Sequence, residues 1–241
     1  MTDWITPEWP APASVRALVT TRAGGVSAGP YSSMNLATHV GDDPAAVAEN
    51  RRRLRAHLPA EPLWLSQVHG VAVVRAEDAA EGAEADAAFT RRTGKVCAVL
   101  TADCLPVLLC NDAGTVVCAA HAGWRGLAGG VIESAVRATN EPPARLLAWL
   151  GPAIGPQAFE VGAEVRETFL AHAPEAATAF AARENGKWLA DLYRLAGQRL
   201  KALGVARVFG GGFCAFSDAE RFYSFRREKA TGRMASLIWM E

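Results

Sequence analysis

The amino-acid sequence predicts one domain of the α/β or α+β class, spanning residues 1–241 and built on a mixed β-sheet. Three observations lead to this expectation. Several runs are uniformly apolar, which is typical of strands covered on both faces. Segments with the spacing of amphipathic helices are interleaved irregularly with these runs, so a mixed sheet is favoured over a strict βαβ array. No internal repeat, low-complexity tract or long linker divides the chain.

The individual elements are predicted from hydrophobic periodicity and from the residues that punctuate it. Asp43 and Pro44 supply the cap and the first turn of a helix over 45–58, which Pro59 ends. A hairpin turn at 111–114 joins two apolar strands. The predicted strands are 15–21, 63–68, 71–76, 96–101, 106–110, 115–120, 146–150, 205–209 and 236–240. The other predicted helices are 126–139, 161–172 and 189–203.

The composition narrows the class of protein and the class of partner. Basic and acidic residues number 25 each, so the formal net charge is zero, and we expect neither a nucleic acid nor a membrane as partner. The N-terminus lacks the basic and apolar regions of a signal peptide, and no apolar run reaches the roughly 18 residues of a membrane span. The five cysteines form no C-x-x-C pair and are expected to be reduced. These features predict a cytoplasmic protein. They do not indicate an oligomeric state.

Three potential metal ligands each follow an apolar run, in a turn that contains glycine or proline. They are His69, Cys104 and His121. Side chains at the ends of strands can converge, and two imidazoles with one thiolate suit zinc, with copper as an alternative occupant in vitro. Three protein ligands leave a fourth position open for water or substrate, which is the arrangement of a catalytic site. The sequence therefore predicts an enzyme.

The same residues also fit other chemistry. Cys104 could be a nucleophile with His121 or His69 as its base. Asp103 is expected to orient a ligand imidazole or to carry a proton, and its alternative is a turn-capping aspartate. Arg22 lies in a glycine-rich turn and is a candidate to clamp a phosphate or a carboxylate, although no Gly-Lys-Ser/Thr of a phosphate loop follows it.

Ten motifs distributed over nearly the whole chain resemble those of one family. They are TRAGGVS (21–27), SMNL (33–36), HVGD (39–42), QVHG (67–70), ADA (85–87), TADCLP (101–106), HAGWRG (121–126), GPAI (151–154), FEVG (159–162) and YSFRR (223–227). Their number and order identify the chain as similar to the YfiH/YlmD-type family. Members of that family have been labelled polyphenol oxidase or laccase-like, peptidoglycan editing factor and purine nucleoside phosphorylase.

The resemblance implies a fold, a metal and an activity. The fold is a single-domain α/β (α+β) sandwich with mixed β-sheets covered by helices, and the metal is zinc held by His69, Cys104 and His121. The activity is phosphorolysis of adenosine, inosine and methylthioadenosine, with hydrolytic deamination of adenosine, so the partners are a small nucleoside and phosphate. The same three ligands and Asp103 are the catalytic candidates. The candidates for substrate binding are Arg22 or Arg226 for the anion, Asn35 for the ribose, and Gln67.

Three other functions are set against this one. The main alternative is an amidase that edits L-serine-containing peptidoglycan precursors, using Cys104 or a zinc-activated water. A more distant one is a metal-binding protein without activity. True laccase chemistry needs a type-1 copper and a three-copper cluster held by many more histidines than the five in this chain, so we expect none.

Overall fold

The computed structural model describes residues 3–241 and contains thirteen strands and six α-helices in that range. The strands are β1 (Val15–Val19), β2 (Pro62–Leu63), β3 (Val73–Arg75), β4 (Ala87–Thr90), β5 (Val96–Thr101), β6 (Leu105–Asn111), β7 (Val117–Ala122), β8 (Leu146–Leu150), β9 (Glu160–Val161), β10 (Phe180–Ala182), β11 (Trp188–Ala190), β12 (Arg207–Gly210) and β13 (Met234–Met240). The helices are α1 (Pro44–Arg55), α2 (Trp124–Gly129), α3 (Val131–Thr139), α4 (Ala163–Leu170), α5 (Leu192–Ala202) and α6 (Phe225–Glu228).

Three sheets organise the strands. A four-stranded sheet has the order β1-β13-β5-β2, and a six-stranded sheet has the order β12-β8-β6-β7-β4-β3. A small third sheet has the order β10-β11-β9. The six-stranded sheet combines antiparallel pairs, such as β6 with β7, with parallel pairs, such as β12 with β8. The prediction of a mixed sheet is therefore confirmed.

The two larger sheets pack face to face, with helices on their outer faces. Val99 of the four-stranded sheet and Leu108 of the six-stranded sheet belong to one buried cluster. Leu109, the next residue of β6, instead faces a second cluster that contains Ile132 of α3 and Leu195 of α5. Because successive side chains of a strand point to opposite faces, a strand covered on both sides must be apolar throughout. This arrangement confirms the sandwich and explains the uniformly apolar runs.

The strands over 96–101 and 146–150 are confirmed, but several other boundaries differ from the prediction. The helix over 126–139 is two helices, because Gly130 adopts a φ of 102° and caps α2 through its N–H. Strand β4 was not predicted. The predicted helices at 161–172 and 189–203 are shortened by strands β9 and β11 at their beginnings.

The predicted strand over 63–68 is ladder-paired only as far as Leu63. Ser66 forms an isolated parallel bridge with Glu84, and at the next residue the side chain of Gln67 takes the place of a strand partner. Its Nε2 donates to the carbonyl of Leu100 at 2.8 Å, and its Oε1 accepts from the N–H of the same residue at 2.7 Å. The backbone of residues 68–70 is thereby free to leave the sheet. Among the helices of residues 3–241, none has the length and apolar character needed to cross a bilayer.

Candidate metal centre

One cavity, of about 310 Å³, brings together six of the eight predicted site residues. Small-molecule sites typically have volumes of roughly 300–1,000 Å³, so this cavity is at the lower end of that range. The six residues are His69, Cys104, His121, Asp103, Gln67 and Arg226. Arg22 and Asn35 do not line it.

His69, Cys104 and His121, which we call the ligand cluster, converge as the sequence predicts. Their ligand atoms all lie within 4.8 Å of one another, and Cys104 Sγ is 3.8 Å from His69 Nε2. A nitrogen and a sulfur bound to one tetrahedral zinc ion are about 3.5 Å apart. Small side-chain movements would therefore close the cluster around an ion, so the residues fit a zinc or copper ion by both spacing and donor type.

Strand ends and tight turns place the three ligands. Cys104 directly precedes β6, and His121 lies in β7, where it is paired in register with Pro106. His69 occupies a turn with a φ of 60°. Gly123 is required beside them, because a Cβ at that position would lie 2.8 Å from Cys104 Sγ and 3.0 Å from His69 Cδ2.

Asp86 is the buried carboxylate that organises two of the ligands. It is completely buried, and its oxygens accept hydrogen bonds from the backbone N–H groups of Val68, His69 and Gly70 at 2.6–3.2 Å. His121 Nδ1 lies 2.8 Å from Asp86 Oδ1. This contact assigns the proton to Nδ1 and leaves Nε2 for a metal ion. The available signal was the place of Asp86 in the ADA motif directly before β4, but no role was predicted for it.

The charges of the cluster reinforce one another. Burial raises the pKa of Asp86, but the hydrogen bonds from His121 and Gly70 outweigh it, so the net shift is downward. Burial also acts against ionisation of Cys104, yet the charge and hydrogen bond of His121, with a smaller effect of His69, lower the thiol pKa to about 6. Burial acts against protonation of His121, and the charges of Cys104 and Asp86 raise its pKa to about 9. A thiolate is thus favoured at neutral pH, as metal binding or nucleophilic attack requires.

Asp103 lies beside the cluster in an unusual environment. Its Oδ2 accepts from the backbone N–H of Arg226 at 2.7 Å, whereas its Oδ1 is buried without a hydrogen-bond partner. Burial is the main cause that raises the pKa of this carboxyl group. The imidazole of His121 is hydrogen-bonded to Asp86 and not to Asp103, so the orienting role considered for Asp103 is assigned to Asp86 for this ligand.

Three predicted substrate-binding side chains are occupied by internal hydrogen bonds. Arg22 donates to the carbonyls of Ser32 and Ala219, outside the cavity. Asn35 is completely buried, and its amide group bonds to Ala37, to Asp42 and to the N–H of Arg233. Gln67 lines the cavity, but both ends of its amide are bonded to Leu100. The placement of Arg22 and Asn35 gives no support to the anion and ribose roles expected of them.

The cavity is also lined by cationic and aromatic side chains, which we call the arginine wall. These residues are His39, Phe159, Phe225, Arg226 and Arg233. The Cζ atom of Arg226 lies 5.3 Å from the centroid of the Phe159 ring. The Cζ atom of Arg233 lies 5.9 Å from that of Phe225, a ring that is 49% exposed. Of the five residues, only Arg226 was predicted to bind substrate. His39, Phe159 and Phe225 lie in motifs of the family but were given no role, and Arg233 lies in none of them.

Comparison with known proteins identifies the family. A family described as "Multi-copper polyphenol oxidoreductase laccase" matches residues 16–241. The chain belongs to this family. A purine nucleoside phosphorylase of Pseudomonas aeruginosa is 58% identical, and purine nucleoside phosphorylase YfiH of Escherichia coli is 54% identical, in each case over the full length of both chains. A crystal structure of a Neisseria meningitidis protein superimposes with a TM-score of 0.96 at 52% identity, covering 99% of each chain. The resemblance recognised from the motifs is confirmed.

The copper-oxidase description of the family contrasts with the number of ligands in this chain. Within residues 3–241, the ligand cluster is the one group of three or more histidine, cysteine or acidic side chains spaced to hold an ion. Of the remaining histidines, His57 and His172 are exposed near the ends of helices α1 and α4, and His39 belongs to the arginine wall. The absence of laccase activity stays a prediction, which oxygen uptake with a phenol would contradict.

Proposed function

We propose that this chain is a zinc-dependent purine nucleoside phosphorylase that acts on adenosine, inosine and methylthioadenosine and also deaminates adenosine by hydrolysis. The observation that carries the proposal is the ligand cluster, held by Asp86 and open to a cavity with aromatic and cationic sides. The relatives from P. aeruginosa and E. coli are named purine nucleoside phosphorylases, which supports the phosphorolysis in this proposal. The free cysteines suit a reducing compartment, and we extend the proposal to the cytoplasm.

The residues that line or support the cavity have different roles in this proposal. When bound, zinc would act as a Lewis acid and would lower the pKa of water. Asp86 fixes the ring orientation of His121 and the turn that carries His69. Phe159 and Phe225 offer apolar ring surfaces that suit a purine base.

Asp103 is the candidate to hold and move a proton. Its unpartnered Oδ1 is free to bond to a substrate, and burial favours the protonated carboxyl. An Asp103→Asn variant should keep its zinc and lose turnover. Unchanged turnover would remove Asp103 from the mechanism.

Product analysis tests the proposed function directly. Adenosine is incubated with zinc-loaded protein, with and without phosphate, beside a Cys104→Ala variant that lacks a ligand. Adenine that appears only with phosphate, and is lost in the variant, is the expected result for phosphorolysis. Inosine that appears without phosphate reports deamination. If neither adenine nor inosine is formed under any of these conditions, the proposal is refuted.

A second candidate function is an amidase, and one feature favours it. Cys104 has a thiol pKa of about 6 and lies beside His121, which is bonded to Asp86, so the three form a cysteine–histidine–aspartate arrangement. Such a group, or zinc-activated water, would hydrolyse an amide bond in an L-serine-containing cell-wall precursor. Release of L-serine from a muramoyl-L-serine nucleotide, with no product from adenosine, would favour this candidate.

A further inference from the structure

Two arginines that line the cavity form no salt bridge within residues 3–241. Arg226 donates from NH1 to the carbonyl of Glu160 at 2.7 Å. Arg233 donates from NH1 to the carbonyls of Thr231 and Gly232 at 2.9 and 3.0 Å. Among residues 3–241, neither guanidinium forms a salt bridge, whereas Arg22, outside the cavity, is paired with Glu228. The two positive charges of the arginine wall are therefore available to a ligand.

The surroundings hold these charges in the cavity. Arg233 is partly buried, and this burial lowers its pKa. The pKa of His39 is lowered first by its own burial and then by the positive charges of Arg233 and Arg51. Aromatic rings lie near both guanidinium groups and restrain the forks. The charges of Cys104 and Asp103 act against burial by raising the pKa of Arg233, although Arg233 forms no salt bridge within residues 3–241. Accumulated positive charge in a partly enclosed site is costly unless an anion compensates it.

We propose that Arg226 and Arg233 together form a subsite for a tetrahedral oxyanion, which is inorganic phosphate in the phosphorolysis reaction. A purine nucleoside is neutral and needs no such pair, whereas the planar fork of a guanidinium matches two phosphate oxygens. This inference rests on the proposed function and deepens it, because it assigns the phosphate to the arginine wall in addition to any contact with the metal. Of the two arginines that the sequence offers as alternatives for the anion, Arg226 is kept and Arg22 is not, and Arg233 is added.

The reaction that this subsite would serve balances without a redox partner. An oxygen of the phosphate forms a bond to C1′ of the ribose as the bond from C1′ to the purine nitrogen breaks. The electron pair of that bond leaves with the purine, which then takes up a proton. Two fixed positive charges would hold the phosphate in position for this attack.

Phosphate titration of the zinc-loaded protein tests the subsite without relying on turnover. Calorimetry at constant ionic strength compares the native chain with Arg226→Gln and Arg233→Gln. We expect each substitution to raise the Kd for inorganic phosphate by about tenfold or more, because each removes charge-assisted hydrogen bonds. Arg233→Lys keeps the charge and loses the planar fork, so its Kd for phosphate should lie between that of the native chain and that of Arg233→Gln.

Arg221→Gln is the matched control, since Arg221 lies in the same part of the chain but bonds to Asp218 at 2.7 Å and does not line the cavity. It should bind phosphate as the native chain does. Zinc content and thermal unfolding of every variant are measured, so that an effect of Arg233 on its own loop is separated from phosphate binding. If Arg233→Gln does not fold, Arg226→Gln and Arg233→Lys decide the result.

Steady-state kinetics separates failure of the subsite from failure of the proposed function. The KM for phosphate should rise by about tenfold or more in both glutamine variants, while the KM for the nucleoside changes little. Normal phosphorolysis with an unchanged Kd and KM for phosphate in both variants would overturn the subsite and leave the function intact. Phosphate binding that depends on both arginines, in a protein without phosphorolysis, would keep the subsite and overturn the function.

Discussion

The ligand cluster and the arginine wall meet in one cavity but are built in different ways. The cluster sits at the ends of β-strands, and Asp86 connects its parts through three backbone N–H groups and one imidazole. The wall comes from a four-residue helix, a loop and two distant segments, and its arginines are held only by carbonyl groups and rings. This difference indicates that the ligand cluster is tied to the backbone of the sheet, whereas the arginine wall is held by contacts that can change independently.

The largest expected effect tests the rigid side of this comparison. In Asp86→Asn, the new amide group cannot accept from all the N–H groups that Asp86 binds, and it no longer favours the required form of His121. Loss of a carboxylate that orients a ligand typically weakens metal binding by about 10–100-fold. Zinc affinity, measured by competition with a chelator, should fall by that factor.

Asp112→Asn is the control for this substitution, because Asp112 is paired with Arg145 in a surface turn. Its zinc affinity should equal that of the native chain. If Asp86→Asn also stays within about twofold of the native affinity, the proposed role of the buried carboxylate is wrong.

A smaller effect is expected from crowding the cluster. In Gly123→Ala, the added Cβ would come too close to Cys104 Sγ and His69 Cδ2, so both ligands must shift. We expect zinc affinity to fall by about tenfold. In Gly197→Ala, a Cβ would meet nothing within 4 Å, and the change in helix α5 should stabilise the protein by about 0.5–1 kcal/mol without altering zinc binding. Native zinc affinity in the first variant would show that the cluster tolerates displacement.

The smallest expected effect measures the charge of the arginine wall. Burial lowers the pKa of His39, and the positive charges of Arg233 and Arg51 lower it further. Removing one of these charges in Arg233→Gln should therefore raise the pKa of His39 toward about 6.5, the ordinary value for histidine. Titration of the imidazole signals by NMR measures this shift. A pKa that falls or stays constant in this variant would show that Arg233 does not act on His39.

The contrast between cluster and wall also explains what the sequence could predict. Cys104 and His121 lie at the ends of apolar runs that pair as β6 and β7, so the local pattern was enough to predict that these two residues lie close together. The mixed sheet followed from the same runs, whereas the sandwich was implied by the resemblance to the family. Arg233 and His39 come together only through tertiary packing. Arg233 lies in none of the motifs, and the motif that contains His39 gave no sign of its place in the cavity. Arg22 lies in a glycine-rich turn typical of anion sites, yet its guanidinium donates hydrogen bonds to the carbonyls of Ser32 and Ala219.

The register of β6 with β7 connects metal supply to the stability of the domain. Alternate residues of these two strands contribute to the core between the sheets and to the core under the helices. Ligands next to β6 and within β7 therefore cannot separate unless both cores open. An ion held there stabilises the folded state by mass action, by about 2.7 kcal/mol at a hundred times its Kd. A cell short of metal would then hold a smaller folded population of the whole chain, and abundance would fall together with activity.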